Sequence, residues 1–273
     1  MNKLIKRTIT GVIYVALLIA AILGGPVLFA TIFCCILAFG ILELERLCMK
    51  DKPQPAIIRI VDIAGGLAMF LSTFFSYKCQ AWINPIVCYL PYFVIRMVMQ
   101  LYIKNADTLK SATTSAFSQI YIALPITLLN LIYFEYGNPQ LLLVCFAFIW
   151  MNDTGAFCIG SLIGKRRLFE RISPKKSWEG FFGGILFNIV LALVLYCSFN
   201  DIFADFALYE WVLFSIIVSI FATWGDLAES LIKRSVSAKD SGTILPGHGG
   251  VLDRIDSLLL VAPASLIIFY IIL

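Results

Sequence analysis

Histidine and charge are scarce in this chain. One residue in 273 is a histidine and 14% are Asp, Glu, Lys or Arg, whereas 60% are hydrophobic and the mean hydropathy is +0.91. Soluble globular domains carry far more charge, so the composition excludes that class. Continuous apolar runs, in place of alternating apolar and polar residues, exclude a membrane β-barrel. The sequence therefore predicts an all-α, polytopic integral membrane protein.

Cysteine pairs of the kind that bind zinc or exchange disulfides are also missing. The eight cysteines form no Cys-x-x-Cys pair, nearly all lie inside apolar runs, and the histidine is distant from them in sequence. Zinc and redox sites are therefore disfavoured. The thiols are expected to pack as small polarizable groups between helices.

Apolar runs of membrane length recur along the whole chain, separated by glycine, proline and charge clusters. They predict about nine transmembrane helices, near residues 8–24, 27–48, 57–77, 81–103, 113–135, 139–163, 178–199, 208–232 and 252–273. The basic N-terminus could imitate a signal peptide, but the apolar run resumes directly after Gly24-Gly25-Pro26, as in a hairpin of two retained spans. We divide the chain into N-terminal transmembrane helices, residues 1–110, and a transmembrane catalytic region, residues 111–273.

Lysine and arginine lie almost entirely on one side of this arrangement. With a cytoplasmic N-terminus, the connections on the opposite side carry Lys78 and no other lysine or arginine. This is the distribution that the positive-inside rule describes. It predicts a multi-pass protein of a bacterial-type cytoplasmic (inner) membrane, whose most polar loop faces the cytoplasm.

The most polar stretch, residues 225–257, contains carboxylates at helical spacing. Asp226 and Ser230 share one face of a predicted helix, and Asp253 and Asp256 share a face of the next. Acids that converge from adjacent helices repel one another unless a cation lies between them. Oxygen ligands favour a hard ion, and Mg²⁺ above all, because it combines a few carboxylates with water and substrate phosphates. The alternative is ordinary salt bridges with nearby lysines and arginines.

Two further segments suit phosphate groups. The glycines of residues 246–250 permit close backbone approach and direct N–H groups at a ligand, although any tight turn has the same composition. His248, within that loop, could stack on a base, contact a phosphate or cap the turn. Residues 165–176 hold six lysines and arginines and lead into Lys175-Lys176-Ser177 at a helix start. Phosphate binding and a purely topological role are both open for this run.

An acid inside an apolar span completes the candidates. Asp153 is a candidate functional residue, because an ionisable side chain is costly inside a membrane. Asn152 and Thr154 are its candidate hydrogen-bond donors. Glu43 and Glu45, near the end of the second span, are expected to pair with Arg46 at the membrane boundary.

The spacing of these residues is specific. It includes Ser230-x-x-Lys233-Arg234, Lys239-Asp240-x-Gly242, Pro246-x-His248-Gly249-Gly250-x-x-Asp253-Arg254-x-Asp256, Gly225-Asp226-Leu-x-Glu229, Ser173-Pro174-Lys175-Lys176-Ser177 and Asp153-Thr154-x-Ala156-Phe157. This pattern resembles that of the phosphatidate cytidylyltransferases (CDP-diacylglycerol synthases). The resemblance covers the C-terminal half of the chain, and the N-terminal spans share only their hydrophobicity.

The resemblance implies an activity and a site. The activity is transfer of CMP from CTP to phosphatidic acid in the bilayer, giving CDP-diacylglycerol and pyrophosphate for phospholipid biosynthesis. The cofactor is Mg²⁺, a second, monovalent cation is compatible with the acids, and the assembly is a homodimer. Asp226, Asp253 and Asp256 are expected to bind metal and, with Lys233 and Arg234, to be catalytic. Substrate-binding residues are expected to be Ser230, Lys239, His248, Gly249, Gly250, Lys175, Lys176, Ser177 and Asp153.

Two other classes stay open from the sequence. A CTP-dependent polyprenol or lipid kinase would share the nucleotide and metal but transfer the γ-phosphate. A non-enzymatic transporter would explain the intramembrane acid. It would not explain why the candidate phosphate-binding residues are concentrated on the cytoplasmic side. CDP-alcohol phosphatidyltransferases are excluded because their Asp-Gly-x-x-Ala-Arg motif is missing, and no nucleic-acid partner is expected.

Overall fold

The computed structural model of the chain describes residues 3–80, 83–103, 107–134, 139–199, 206–242 and 249–272. Within these residues the fold consists of nine helices and one short β-hairpin. The helices are α1 (Lys3–Leu23), α2 (Pro26–Cys48), α3 (Ala56–Cys79), α4 (Pro85–Tyr102), α5 (Thr108–Phe134), α6 (Pro139–Ile163), α7 (Trp178–Ser198), α8 (Leu208–Ser235) and α9 (Leu252–Ile272). The strands are β1 (Arg167–Phe169) and β2 (Ser173–Ser177).

The prediction of an all-α, polytopic membrane protein is confirmed. Among the described residues, eight helices, α2 to α9, are long and apolar enough to cross a membrane, and the apolar part of α1, Thr8–Leu23, is shorter. Large apolar side chains such as Ile86 and Leu101 are 72% and 82% exposed. Exposed apolar surface on this scale requires a lipid environment.

Local capping explains where α4 and α5 begin. The Asp107 carboxylate accepts a hydrogen bond from the Lys110 amide at 3.1 Å, so α5 starts at Thr108 and not near residue 113 as predicted. Asn84 caps α4 in the same way by accepting from the Ile86 amide at 3.0 Å. Residues Gln119–Ala123 of α5 form a π-helical turn.

The helices fall into two compact units. Unit 1 comprises residues 1–139 and 235–255, and unit 2 comprises residues 140–234 and 256–273. The core of unit 1 is aromatic, with the rings of Phe29 and Tyr133 stacked at 4.2 Å between centroids. In unit 2 the fully buried Trp211 donates its indole N–H to the Ala192 carbonyl at 3.1 Å and packs against Phe148 and Phe214.

A buried polar cluster joins α3, α4 and α5 inside unit 1. Asp62 is fully buried and lies 3.3 Å from the Arg96 guanidinium. Its carboxylate also accepts hydrogen bonds from Tyr92 at 2.9 Å and from Ser115. Arg96 donates further bonds to Ser115 and Ser111. Because charges within a membrane must be compensated, this network fixes the mutual packing of the three helices.

The hairpin was not predicted and belongs to unit 2. Strands β1 and β2 are antiparallel, with Arg167 opposite Ser177 and Phe169 opposite Ser173. The Glu179 carboxylate, in the first turn of α7, accepts hydrogen bonds from the amides of Lys165 at 3.1 Å and Arg166 at 3.2 Å. The hairpin is thereby fastened to the helix that follows it.

Candidate active site

A cavity of about 400 Å³ lies within unit 2, bounded by α6, the hairpin, α7 and α8. Its polar lining consists of Asn152, Asp153, Ser161, Lys175, Lys176, Ser177, Thr223 and Asp226. Its apolar lining includes Phe157, Leu168 and Phe181. One cavity therefore offers cations, carboxylates and aromatic surface to the same ligand.

The central contact of the cavity is an ion pair between β2 and α8. The Lys176 ammonium lies 2.6 Å from Asp226 Oδ2, and the two side chains are 27% and 33% exposed. Ser230, one turn further along α8, donates to Asp226 Oδ1 at 3.3 Å. The predicted sharing of a helix face by Asp226 and Ser230 is thus observed in the structure.

The strand conformation of β2 determines which lysine reaches Asp226. Alternate residues of a strand point to opposite sides, so Lys175 and Lys176 diverge, although both line the cavity. Ser177 ends the strand and caps α7 by accepting a hydrogen bond from the Gly180 amide at 3.1 Å. A helix N-terminus, with the positive end of its dipole, is therefore placed at the cavity wall.

Glycines allow α6 and α7 to approach closely beside this wall. A Cβ atom on Gly155 would lie 2.7 Å from Phe187 Cβ and 2.8 Å from the Gly183 carbonyl oxygen. A Cβ on Gly180 would lie 2.9 Å from the Ala156 carbonyl oxygen. Main-chain atoms of the two helices are therefore in contact, which no larger residue would permit.

Asp153 lines the cavity from α6, but its predicted donors bond elsewhere. Asn152 donates its amide to the Thr223 hydroxyl at 3.3 Å, and Thr154 donates to the Trp150 carbonyl one turn earlier. The prediction that Asn152 and Thr154 support Asp153 is therefore wrong. An isolated side chain on a helix readily bonds the preceding turn, which local sequence cannot reveal.

Asp256 belongs to the same unit and enters from α9. The Ser257 hydroxyl donates to the Ala222 carbonyl at 3.0 Å, and a Cβ on Gly225 would lie 2.7 Å from the Asp256 carbonyl oxygen. These contacts hold α9 against α8 next to Asp226. Asp256 interacts electrostatically with both Asp226 and Asp153.

The donor set fits a hard divalent cation. Within the described residues no group of three Asp, Glu, His or Cys side chains converges tightly enough to hold an ion alone. Mg²⁺ needs only one or two protein carboxylates, since waters and substrate phosphates complete its coordination. Asp226 already holds one positive charge, the Lys176 ammonium. Asp226 and Asp256 are therefore suited to Mg²⁺ that arrives with a phosphate ligand.

The predicted phosphate loop lies in unit 1, where part of it is described. Gly249 has φ of +84°, a conformation that favours glycine. The Asp253 carboxylate accepts hydrogen bonds from the amides of Gly250 at 2.8 Å and Ser241 at 3.1 Å. His248 lies outside the described residues, and the predicted convergence of Asp253 with Asp226 stays a prediction.

The remaining predicted cations lie at different depths. Lys233 is 9% exposed and pairs with the buried Glu229 one turn earlier on α8. Arg234 is exposed and donates to the Ile172 carbonyl in the hairpin turn at 3.5 Å. Lys239 is exposed. Lys233 is therefore paired within α8, whereas Arg234 contacts the hairpin that carries Lys175 and Lys176.

Two residues near the predicted site were not predicted to belong to it. Thr223 lies one helical turn before Asp226 on α8, a spacing that could have identified it. Glu43 on α2 does not pair with Arg46 among the described residues, and its carboxylate instead contacts Ser241 and the Leu252 amide in unit 1. Sequence separations of 198 and 209 residues explain why local pairing with Arg46 was the wrong prediction.

Comparison with known proteins identifies the family. A model of the cytidylyltransferase family matches residues 5–272. The phosphatidate cytidylyltransferase of Staphylococcus saprophyticus is 34% identical over 263 residues, covering 94% of this chain and 95% of the relative. That of Bacillus subtilis is 32% identical over 270 residues, covering 94% of each chain. The phosphatidate cytidylyltransferase of Staphylococcus haemolyticus is 47% identical over 124 residues, which is 45% of this chain and 46% of the relative. The chain therefore belongs to the cytidylyltransferase family that includes these phosphatidate cytidylyltransferases.

Proposed function

We propose that this protein is a phosphatidate cytidylyltransferase that transfers CMP from CTP to phosphatidic acid. The observation that carries the proposal is the amphiphilic lining of the cavity. Lys175 and Lys176 stand on one wall and Phe157 and Phe181 on another. A lipid phosphate requires this combination, because its headgroup is anionic while its glycerol and acyl parts are apolar.

The reaction joins two anions. An oxygen of the phosphatidate phosphate attacks the α-phosphorus of CTP. The bond between the α-phosphorus and the bridging oxygen breaks, and pyrophosphate leaves with the electron pair. The attacking oxygen is already ionised at neutral pH, so no strong general base is needed. This matches a cavity lined by lysines and carboxylates, which balance charge.

The protein's part is to hold the two anions together and neutralise them. Lys175 and Lys176 balance phosphate charge from the hairpin, and Arg234, which contacts the hairpin at Ile172, adds to the positive field. The N-terminus of α7, capped by Ser177, supplies partial positive charge. Ser230 and Asp226 hold each other in orientation.

Asp226 and Asp256 would hold Mg²⁺, with Asp253 as a further predicted ligand. When bound, Mg²⁺ supplies Lewis-acid neutralisation of the phosphate oxygens. Before it binds, the Lys176 ammonium compensates the Asp226 carboxylate. Asp226 would then hold the metal, and the Lys176 ammonium would be released to a phosphate oxygen.

The active site faces the cytoplasm of a bacterial inner membrane in this proposal. Its support is the distribution of lysine and arginine, in which Lys78 is the exception on the opposite side. CTP is available on the cytoplasmic side, and phosphatidic acid reaches the site from the bilayer. Assembly as a homodimer stays a prediction.

Label transfer tests the reaction. Purified protein in detergent receives phosphatidic acid, Mg²⁺ and CTP labelled at either the α- or the γ-phosphorus. We expect α-label in the organic phase and γ-label in pyrophosphate, with no transfer after chelation of Mg²⁺. Organic-phase γ-label with a polyprenol acceptor would establish a kinase instead. Absence of both transfers in folded protein would overturn the enzyme assignment.

A further inference from the structure

Glu43 contacts the phosphate loop from a distant helix. It lies on α2, is 1% exposed, and belongs to unit 1 together with residues 235–255. Its Oε2 accepts a hydrogen bond from the Ser241 hydroxyl at 3.1 Å and another from the Leu252 amide at 2.8 Å. A single carboxylate therefore holds both ends of the segment between residues 241 and 252.

Two glycines of this segment lie directly against the carboxylate. A Cβ atom on Gly242 would lie 2.4 Å from Glu43 Oε1, and one on Gly250 would lie 2.3 Å from Glu43 Oε2. Neither glycine has a positive φ. Their requirement for glycine therefore comes from close approach, of Gly242 to Glu43 and of Gly250 to both Ser241 and Glu43, and not from backbone conformation.

Ser241 also connects Glu43 to Asp253. Ser241 donates its hydroxyl to Glu43 and its amide to Asp253, so the two carboxylates are linked through one residue. The Leu252 amide is one of the first N–H groups of α9, which have no partner inside the helix. A carboxylate at that position also interacts favourably with the helix dipole. Glu43 thus caps the helix that carries Asp253 and Asp256.

We infer that Glu43 is a positioning residue that holds Ser241, Gly242 and Leu252 in place and, through Ser241, orients the Asp253 carboxylate. The effect of Glu43 on catalysis rests on the proposed function, in which Asp253 is a metal ligand. In this role Glu43 acts through neighbouring residues and not on the reacting groups. It holds Ser241, whose amide is one of the two that bond Asp253, so its absence leaves the Asp253 carboxylate less firmly oriented. The N-terminal helices therefore contribute to the site through α2.

The test is a double-mutant cycle between Glu43 and Gly242. In the wild-type background, Gly242→Ala places a methyl group against Glu43 Oε1 and should lower kcat/KM for CTP about tenfold. Glu43→Ala removes that obstacle as well as the two hydrogen bonds, and should lower kcat/KM for CTP about a hundredfold. Adding Gly242→Ala to Glu43→Ala should then cost less than about twofold. Gly242 is the suitable partner because the three atoms nearest its added Cβ all belong to Glu43.

Further readouts separate positioning from general stability. Glu43→Gln keeps an oxygen for the Leu252 amide and should recover most of the activity that Glu43→Ala loses. The Mg²⁺ concentration for half-maximal rate should rise in Glu43→Ala and stay near the wild-type value in Glu43→Gln. Equal costs of Gly242→Ala in both backgrounds would refute the inference. So would an unchanged Mg²⁺ requirement in folded Glu43→Ala.

The coupling between Glu43 and Gly242 can also be measured without enzyme activity. Thermal unfolding and protease cleavage within residues 239–250 report the same coupling without substrate. If the wild-type protein fails to transfer label, the proposed function fails, while coupling in these two measurements still supports Glu43 as the anchor of the segment. If Glu43→Ala does not accumulate, Glu43→Asp serves in the cycle because its carboxylate is one methylene shorter.

Discussion

The ammonium group of Lys176 lies 2.6 Å from Oδ2 of Asp226, so a lysine of the hairpin neutralises an acid of α8 across the cavity. Both side chains are partly exposed, and a partly solvated pair of this kind contributes little to folding stability. In the proposed reaction, a metal ion would become the partner of Asp226 and a phosphate the partner of Lys176.

Replacing Lys176 should therefore affect catalysis more than folding. Lys176→Met is expected to lower kcat/KM for CTP by about a hundredfold, because a phosphate contact is lost where charge repulsion is greatest. Arg171→Met is the matched control, since it removes one positive charge from the hairpin turn without lining the cavity. Steady-state kinetics with thermal unfolding of both variants provides the measurement. Equal kinetic losses in the two variants would mean that only the net charge of the hairpin matters.

The carboxylates proposed to bind metal should be individually essential. Asp226→Asn, Asp253→Asn and Asp256→Asn are each expected to lower activity by about a hundredfold or more, because each removes a ligand and leaves excess positive charge. Glu210→Gln, at the other end of α8, is the control and should leave activity near the wild-type value. Near-normal Mg²⁺-dependent activity in all three aspartate variants would exclude the metal assignment. A loss confined to the yield of folded protein would indicate structural salt bridges.

Chemical labelling should reveal the orientation of the helices. In a cysteine-free background, single cysteines beside Lys104, Arg167 and Lys239 are expected to react only with reagents on the cytoplasmic side. A cysteine beside Lys78 should react only from outside, because it lies on the connection with a single basic residue. Labelling beside Lys239 from outside would place the loop, and with it the proposed site, on the wrong side for CTP.

The buried cluster in unit 1 should determine stability and not catalysis. Arg96→Met leaves the Asp62 carboxylate buried without its cation, and should lower the free energy of unfolding by about 3 kcal/mol. The double variant Asp62→Asn/Arg96→Met should recover part of this loss, since the charge of Asp62 is removed together with that of Arg96. Thermal unfolding in detergent measures both effects. A large fall in specific activity of the folded Arg96→Met fraction would show that the cluster also serves the reaction.

Hydropathy predicted the helices because membrane burial acts on each apolar run independently of its neighbours. The same local pattern correctly placed Asp226 and Ser230 on one helix face, because that placement depends only on spacing within one helix. The contact between Glu43 and Ser241 could not be predicted this way, since it joins residues 198 apart in sequence. The hairpin escaped prediction for a related reason. Its short strands are held in place by the contacts of Glu179 with Lys165 and Arg166, and strand propensity has little part in them.

The meeting of α6 and α7 at Gly155 and Gly180 has a consequence for substrate selection. Main-chain atoms determine the separation of these helices, and packed backbones neither compress nor part easily. The distance between α6 and α7 is therefore fixed, and substituting a single side chain elsewhere in the cavity does not change it. We therefore expect ligand preference to depend on the side chains that line the cavity, such as Thr223 on α8 or Lys175 on the hairpin, and not on the spacing of α6 and α7.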